Sequence, residues 1–226
     1  MSKKRGLRIS ISAVSLIVFC SCTGTALTAC SNDKNTQEKP LETNEIEQVK
    51  PKSGVVSYHG KYLQLADNIE ELDDSSPVIV TVTKESEKTS ITRESKDSEI
   101  PTDFYTMSEV TINNIQKDES GILKENKKIN VLEDSVENVE VDGEKYDLTI
   151  DGYKNMQAGE EYTLFLRKST SGDNYVLTNA LLSKYPVEEE EQDELFLEDG
   201  ESLEETEDMK DTYQELYQEV LKEYNE

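Results

Sequence analysis

Cysteine, tryptophan, histidine and positive charge are all scarce in this chain of 226 residues. The last of its three cysteines is at position 30, so no disulfide can hold together a domain that follows. The only histidine is His59, which restricts acid–base chemistry near neutral pH. Lysine and arginine number 24 against 49 acidic residues, giving a net charge of -25. An acidic chain lacks the basic surface that phosphates require, so we expect no nucleic-acid partner.

Long hydrophobic runs are nearly absent too. One run starts near residue 9, and no second run could cross a membrane, which excludes a protein with several membrane spans. Apolar residues make up 34% of the chain and charged residues 32%. This composition is too polar for one continuous globule and predicts a domain of modest size with unstructured ends.

The N-terminus has the three parts of a secretory signal peptide. Residues 2–8 carry four positive charges and no negative charge, residues 9–19 are mostly apolar, and small residues follow up to Ala29. We therefore predict that residues 1–29 are a signal peptide.

The tetrapeptide Leu27-Thr28-Ala29-Cys30 resembles the lipobox of bacterial lipoproteins. The resemblance implies that the Cys30 thiol receives a diacylglyceryl group, that the peptide bond before it is cut, and that fatty acids such as palmitate hold the protein on the outer face of the cell membrane. Two acyl chains give a stable anchor, whereas one gives only reversible binding. The alternatives are an uncleaved helix over residues 9–29 and cleavage before Cys22.

The exported part divides into three segments by composition. Residues 30–53 begin at the acylated cysteine and are almost entirely polar, which predicts a flexible tether. Residues 54–186 contain the short apolar runs of a β domain. Residues 187–226 hold 18 acidic and two basic residues, and their apolar residues recur every three or four positions, which predicts a helix at about 203–224. This acidic helix could pack on the β domain or dock with another protein.

Within the β domain, the spacing predicts a short N-terminal helix over 61–73 and a strand over 78–83. Residues 84–101 are read as a long loop or two frayed strands. Tyr105, Met107, Val110 and Ile112 predict a strand with one slip in its alternation. Asp142-Gly143 predicts a tight hairpin, and a second hairpin is predicted around Gly172.

Six or seven short strands with one leading helix predict a mainly β fold, either a small antiparallel OB-like barrel or a sandwich. The order of these elements weakly resembles small secreted OB-like barrel domains of Gram-positive bacteria, a resemblance that implies no particular activity.

Candidate chemistry is sparse. His59 is expected to be solvated or to cap a neighbouring element rather than to catalyse. Ser31–Lys34 matches Ser-x-x-Lys but falls in the tether. Asp147, Thr149, Asp151 and Asn155 resemble half of an EF-hand loop, but Ala158 replaces the bidentate glutamate, so no metal ion or other cofactor is predicted. The run Glu188–Glu191 is expected to be a solvated acidic segment, and the eleven tyrosines are expected to pack in the core rather than to form a ligand platform.

These observations predict a membrane-anchored extracytoplasmic lipoprotein that acts as a non-enzymatic binding module, with Cys30 as its lipidation site. Its partners would be the membrane, through the diacylglyceryl anchor, and a protein. Two alternatives stay open: a secreted hydrolase that uses carboxylate chemistry, and an acidic cation-binding spacer protein.

Overall fold

The computed structural model describes residues 54–62, 64–93, 98–198 and 204–224. Within those ranges the fold is mainly β, with nine strands, three helices and one 3₁₀ turn. Cys30, the predicted signal peptide, the tether and Ser31–Lys34 lie outside the described residues. The elements are β1 (Val55–Tyr58), α1 (Ile69–Ser75), β2 (Val78–Arg93), β3 (Asp103–Asp118), β4 (Lys128–Glu133), β5 (Ser135–Val141), β6 (Glu144–Ile150), β7 (Glu161–Lys168), β8 (Tyr175–Leu177), the 3₁₀ turn (Ala180–Ser183), β9 (Lys184–Pro186), α2 (Gln192–Leu195) and α3 (Glu204–Tyr224).

The larger sheet has six strands in the order β2-β3-β4-β8-β7-β9. β7 pairs with β2 as well, so the pairings β2–β3–β4–β8–β7 return to their starting strand. β4 and β8 run parallel, and the remaining pairs of this sheet are antiparallel. The parallel pair corrects the prediction of a purely antiparallel arrangement.

A smaller sheet has the order β1-β6-β5. β1 pairs in parallel with β6, in a register that sets Val55 opposite Asp147. The predicted hairpin between β5 and β6 is confirmed: Asp142 has φ 53° and Gly143 has φ 82°, the two positive values that a type I′ turn requires. Phe104 of β3 packs against Val136, Tyr146 and Leu148 of this sheet in a separate small core.

β2 and β3 form a hairpin of two 16-residue strands. Residues 84–93 therefore belong to a strand, so the loop interpretation of this stretch was wrong. Hydrogen bonds to β3 hold these residues in a strand although their side chains lack an apolar alternation. The predicted strand over residues 105–112 is part of β3, and its pairing with β2 shifts register at four places, which fits a bulged pair of strands. The burial of the β3 side chains nevertheless shows no slip between Phe104 and Ile112. Phe104, Thr106, Ser108, Val110 and Ile112 all face inward in strict alternation, because the polar pair Thr106 and Ser108 has buried partners.

Helix α1 begins at Ile69, later than the predicted start near residue 61. Asn68 fixes this start, because its side chain accepts a hydrogen bond from the backbone N–H of Glu71 at 3.0 Å. The predicted C-terminal helix is present as α3, and it packs on the β domain. None of the helices in the described part of the chain is long and apolar enough to cross a membrane.

The apolar face of α3 packs into the main core through its tyrosine rings. Tyr213 stacks on Tyr185 with ring centroids 4.9 Å apart, and Tyr217 stacks on the same ring at 5.9 Å. Phe165 of β7 meets Tyr224 edge-on at 5.6 Å. Because these residues share one core with the strands, the acidic C-terminal segment forms part of the domain.

Candidate functional site

The densest chemistry in the described residues is a buried ion pair inside the larger sheet. The Lys84 ammonium lies 3.1 Å from the Glu133 carboxylate, and the two side chains are 2% and 0% exposed. Lys84 also donates to the backbone carbonyl of Met156 at 2.6 Å and lies 3.2 Å from Glu87. Burying two charges is unfavourable unless each finds further polar partners, so these contacts decide whether the pair is tolerated.

Glu133 has such partners on both carboxylate oxygens. Oε1 accepts from the Ser108 hydroxyl in addition to Lys84, while Oε2 accepts from the Tyr153 hydroxyl at 3.0 Å and the Met156 N–H at 2.7 Å. With its acceptors occupied, this carboxylate is suited to fixing the positions of β3, β4 and the segment after β6 rather than to moving a proton.

Strand alternation places these polar residues. Lys84 has the same inward phase as Val80 and Val82, and Glu133 has the same phase as Val131. The periodicity was therefore visible in the sequence, although the residues themselves were not identified as site candidates. An ionisable residue at an inward-facing position of a predicted strand is the pattern that would have identified Lys84 and Glu133.

Lys184 lies beside this network and is only 5% exposed. Its ammonium sits 4.3 Å from the centre of the Tyr153 ring and donates to the carbonyl of Lys154. Burial lowers its pKa to about 8, since the neighbouring Glu133 only partly compensates for the lost hydration. Burial also raises the pKa of Tyr153 well above its ordinary value, and the Glu133 charge adds to the effect.

A second polar cluster forms around the fully buried side chain of Asp151. His59 Nδ1 lies 2.8 Å from Asp151 Oδ1, the Gly60 N–H lies 3.1 and 3.2 Å from the two oxygens, and the Tyr62 hydroxyl donates at 2.6 Å. A side chain at position 60 would clash with Tyr62, whose hydroxyl is 2.0 Å from the place of a Cβ. We call His59, Gly60, Tyr62 and Asp151 the entry latch, because their contacts hold the segment after β1 against the turn after β6.

His59 is predicted to be solvated or to cap a neighbouring element, whereas the structure pairs its imidazole with the buried Asp151 carboxylate. Its side chain is 37% exposed and pairs with a carboxylate that other groups also hold. Burial raises the pKa of the Tyr62 hydroxyl, and its hydrogen bond to Asp151 raises it further. Tyr62 and Asp151 are 89 positions apart, so short-range sequence patterns could not indicate their contact.

Asp134 is a third feature, at the junction of β4 and β5. Burial of its carboxyl group, together with the charges of Glu133 and Asp151, raises its pKa to about 6. A carboxylic acid that titrates near neutral pH is a common property of catalytic acids, although buried structural carboxyls share it.

The half EF-hand pattern does not form a loop with converging oxygens. Asp147 accepts from the Asn138 N–H at 2.7 Å, Thr149 donates to the Tyr153 carbonyl at 2.6 Å, and Asp151 belongs to the entry latch. Asn155 is buried, and its amide has no hydrogen-bond partner within the part of the chain that the structure describes. The segment is a strand followed by a turn. No group of three metal-binding side chains occurs within the described ranges.

The remaining candidates lie on or under α3. The Tyr217 hydroxyl donates to the carbonyl of Glu188 at 2.7 Å, and Gln218 donates to the Glu189 side chain at 3.3 Å, so the acidic run is tied to the helix. All eleven tyrosines are buried or half-buried. These positions fit the expectation that the tyrosines pack in the core or at its boundary.

No protein-family model matches the chain, and no curated protein matches it.

Proposed function

We propose that this protein is a bacterial lipoprotein, anchored through Cys30 to the extracytoplasmic face of the cell membrane, whose β domain binds a protein partner without catalysing a reaction. The observation that carries the proposal is the Leu27-Thr28-Ala29-Cys30 motif at the end of the signal-like segment. The domain begins after a polar stretch that would clear the lipid head groups.

The hydrogen bonding of the titratable groups supports a binding role. Glu133 and Asp151 are occupied by several donors each, and His59 pairs with the second of them. Groups held in this way stabilise the domain and leave no nucleophile–base pair that faces solvent among them.

We further propose that the larger sheet is an OB-like barrel. Its support is the cycle of pairings from β2 through β3, β4, β8 and β7 back to β2, with the parallel β4–β8 pair. Such barrels bind ligands on a strand face and its loops. Here the outer face carries Lys88 and Lys128, each within 2.9 Å of Glu109. Lys128 also lies 3.4 Å from Glu85, so two lysines and two glutamates balance on this face, which disfavours it as a site for a charged ligand.

A secreted carboxylate-dependent hydrolase is the second candidate; it requires a carboxylate of raised pKa in a cleft, and Asp134 meets only the first requirement, since it is not among the residues that line the pocket beside α1. Its raised pKa of about 6 would allow it to act as a general acid near neutral pH. The test is turnover of cell-wall and peptide substrates by the wild type and by Asp134→Asn. Turnover that disappears in the variant would replace the binding proposal with this one.

Metabolic labelling with palmitate tests the anchor. We expect label on the wild type and on Cys22→Ser, but none on Cys30→Ser. Cys22→Ser is the matched control, since it removes a cysteine eight positions earlier and leaves the lipobox intact. Loss of label in Cys22→Ser, or absence of label from the wild type, would overturn the assignment. Crosslinking on intact cells tests the binding role, and a discrete adduct with another protein is the expected result.

A further inference from the structure

One open pocket of about 420 Å³ lies between α1 and the start of the 3₁₀ turn. This volume is in the range of about 300–1,000 Å³ that small ligands occupy. The residues that line it include Leu65, Ala66, Glu71, Asp74, Ser75 and Asn179. The pocket is separate from the buried networks described above, because none of their residues lines it.

A buried amide organises the pocket. Asn179 is 5% exposed; its Oδ1 accepts from the Ala66 N–H at 3.1 Å, and its Nδ2 donates to the Ser75 hydroxyl at 2.9 Å. These two bonds join residues 113 and 104 positions away from Asn179. The apolar wall at Leu65 and Ala66 is thereby held against the polar wall on α1, which gives a preformed cleft.

The carboxylates of α1 differ in whether a cation lies beside them. Asp73, which does not line the pocket, lies 2.9 Å from the Lys117 ammonium and accepts from the Tyr224 hydroxyl at 2.8 Å. Glu71 and Asp74 line the pocket, are exposed, and have no ion-pair partner among the described residues. Among the described residues, the one hydrogen bond that Glu71 accepts comes from the N–H of Asp67, at 3.2 Å. The protein thus neutralises the carboxylate outside the pocket and leaves the two inside it without a cation.

We propose that this pocket receives an arginine side chain from a protein partner. The aliphatic part of the side chain would lie on Leu65 and Ala66, and the guanidinium would meet Glu71 and Asp74. Residues three apart on a helix lie about 5–6 Å from each other, a spacing that the two edges of a planar guanidinium can bridge. The inference rests on the proposed binding role and specifies its partner, but it does not depend on the lipid anchor.

The probe for the test is a blocked arginine, N-acetyl-arginine methylamide, and its neutral isostere N-acetyl-citrulline methylamide is the control ligand. The full-length chain is prepared in neutral detergent with ¹³C-labelled alanine and leucine methyls, and the Ala66 and Leu65 methyl signals are followed by NMR. We expect arginine to shift these signals with a millimolar Kd and citrulline to leave them unchanged. Equal shifts with citrulline, or none with arginine, would overturn the proposal.

Variants separate the pocket from the general acidity of the chain. Glu71→Gln with Asp74→Asn should weaken arginine binding at least about tenfold, and each single change should have an intermediate effect. The Gln side chain keeps the acceptor for Asp67, so helix α1 should be preserved. Glu215→Gln with Glu219→Gln is the matched control: it removes two exposed charges from α3, the same change in net charge. An equal loss in that control would assign the effect to the overall field and contradict the pocket.

Discussion

The Lys84 ammonium and the Glu133 carboxylate lie 3.1 Å apart with almost no exposed side-chain surface. In Lys84→Met the buried Glu133 carboxylate loses its ion-pair partner, and in Glu133→Gln the buried Lys84 ammonium keeps only the exposed Glu87 as a counter-charge, so each change should lower the free energy of unfolding by about 3–5 kcal/mol. The double variant Lys84→Met with Glu133→Gln should lose less than the sum of the two single changes, because neither charge is then left without its partner. Urea unfolding monitored by circular dichroism measures these differences.

An exposed pair of the same sheet provides the control. Lys88 lies 2.7 Å from Glu109, but its side chain is 45% exposed, so Lys88→Met should cost less than about 1 kcal/mol. If Lys84→Met were no more costly than Lys88→Met, the buried network would not have the stabilising role that we assign to it.

Lys184 predicts a specific dependence of stability on pH. Its pKa falls from 10.5 to about 8 in the folded state, so between these values the unfolded chain binds more protons and the free energy of unfolding rises with pH. Relative to Lys184→Met, the wild type should gain on the order of 1–2 kcal/mol between pH 7 and pH 9.5. Above pH 10 the buried tyrosines act in the opposite sense, since their raised pKa values make ionisation destabilising. A difference between wild type and variant that stays constant with pH would contradict this prediction.

The entry latch predicts that Asp151→Asn is destabilising although the shape of the side chain is kept. The change weakens the charge-assisted bonds to His59, Gly60 and Tyr62, and we expect a loss of about 1–3 kcal/mol, measured by urea unfolding. Limited proteolysis should show earlier cleavage near residues 59–62. Asp142→Asn is the matched control. Asp151 and Asp142 both have a positive φ, 50° and 53°, but Asp142 lies exposed in the hairpin turn. Equal effects of the two substitutions would assign the loss to backbone conformation rather than to the latch.

Packing of α3 on the domain predicts graded effects at Tyr213. Tyr213→Ala removes a ring that stacks on Tyr185 and should cost about 3–5 kcal/mol. Tyr213→Phe loses only the bond to the Lys184 carbonyl and should cost about 1–2 kcal/mol. Glu215→Ala, on the exposed face of the same helix, should change stability by less than about 0.5 kcal/mol. Thermal unfolding measures all three; a Tyr213→Ala variant as stable as Glu215→Ala would mean that the helix is not docked.

The local features of the fold were predictable because they depend on neighbouring residues. The turn at Asp142-Gly143, the Val78–Thr83 strand and the apolar stripe of α3 all follow from short-range spacing. Features that depend on distant partners were not predictable in this way. Residues 84–93 form a strand because β3 lies beside them, and Ser108 faces inward because Glu133 meets it there.

The same distinction applies to the candidate sites. His59 was identified as the only histidine, but its partner Asp151 lies far along the chain and was considered only as a possible calcium ligand. Lys84 and Glu133 could have been found from the inward phase of their strands. The α1 pocket could not, since the contact that builds it joins Asn179 to residues more than one hundred positions earlier.

The most direct test of the central claim is the intact mass of the protein extracted from membranes of the producing cell. The account predicts a chain that starts at Cys30 and carries the added mass of a diacylglyceryl group. A mass that includes the first 29 residues, or a Cys30 thiol without lipid, would contradict it.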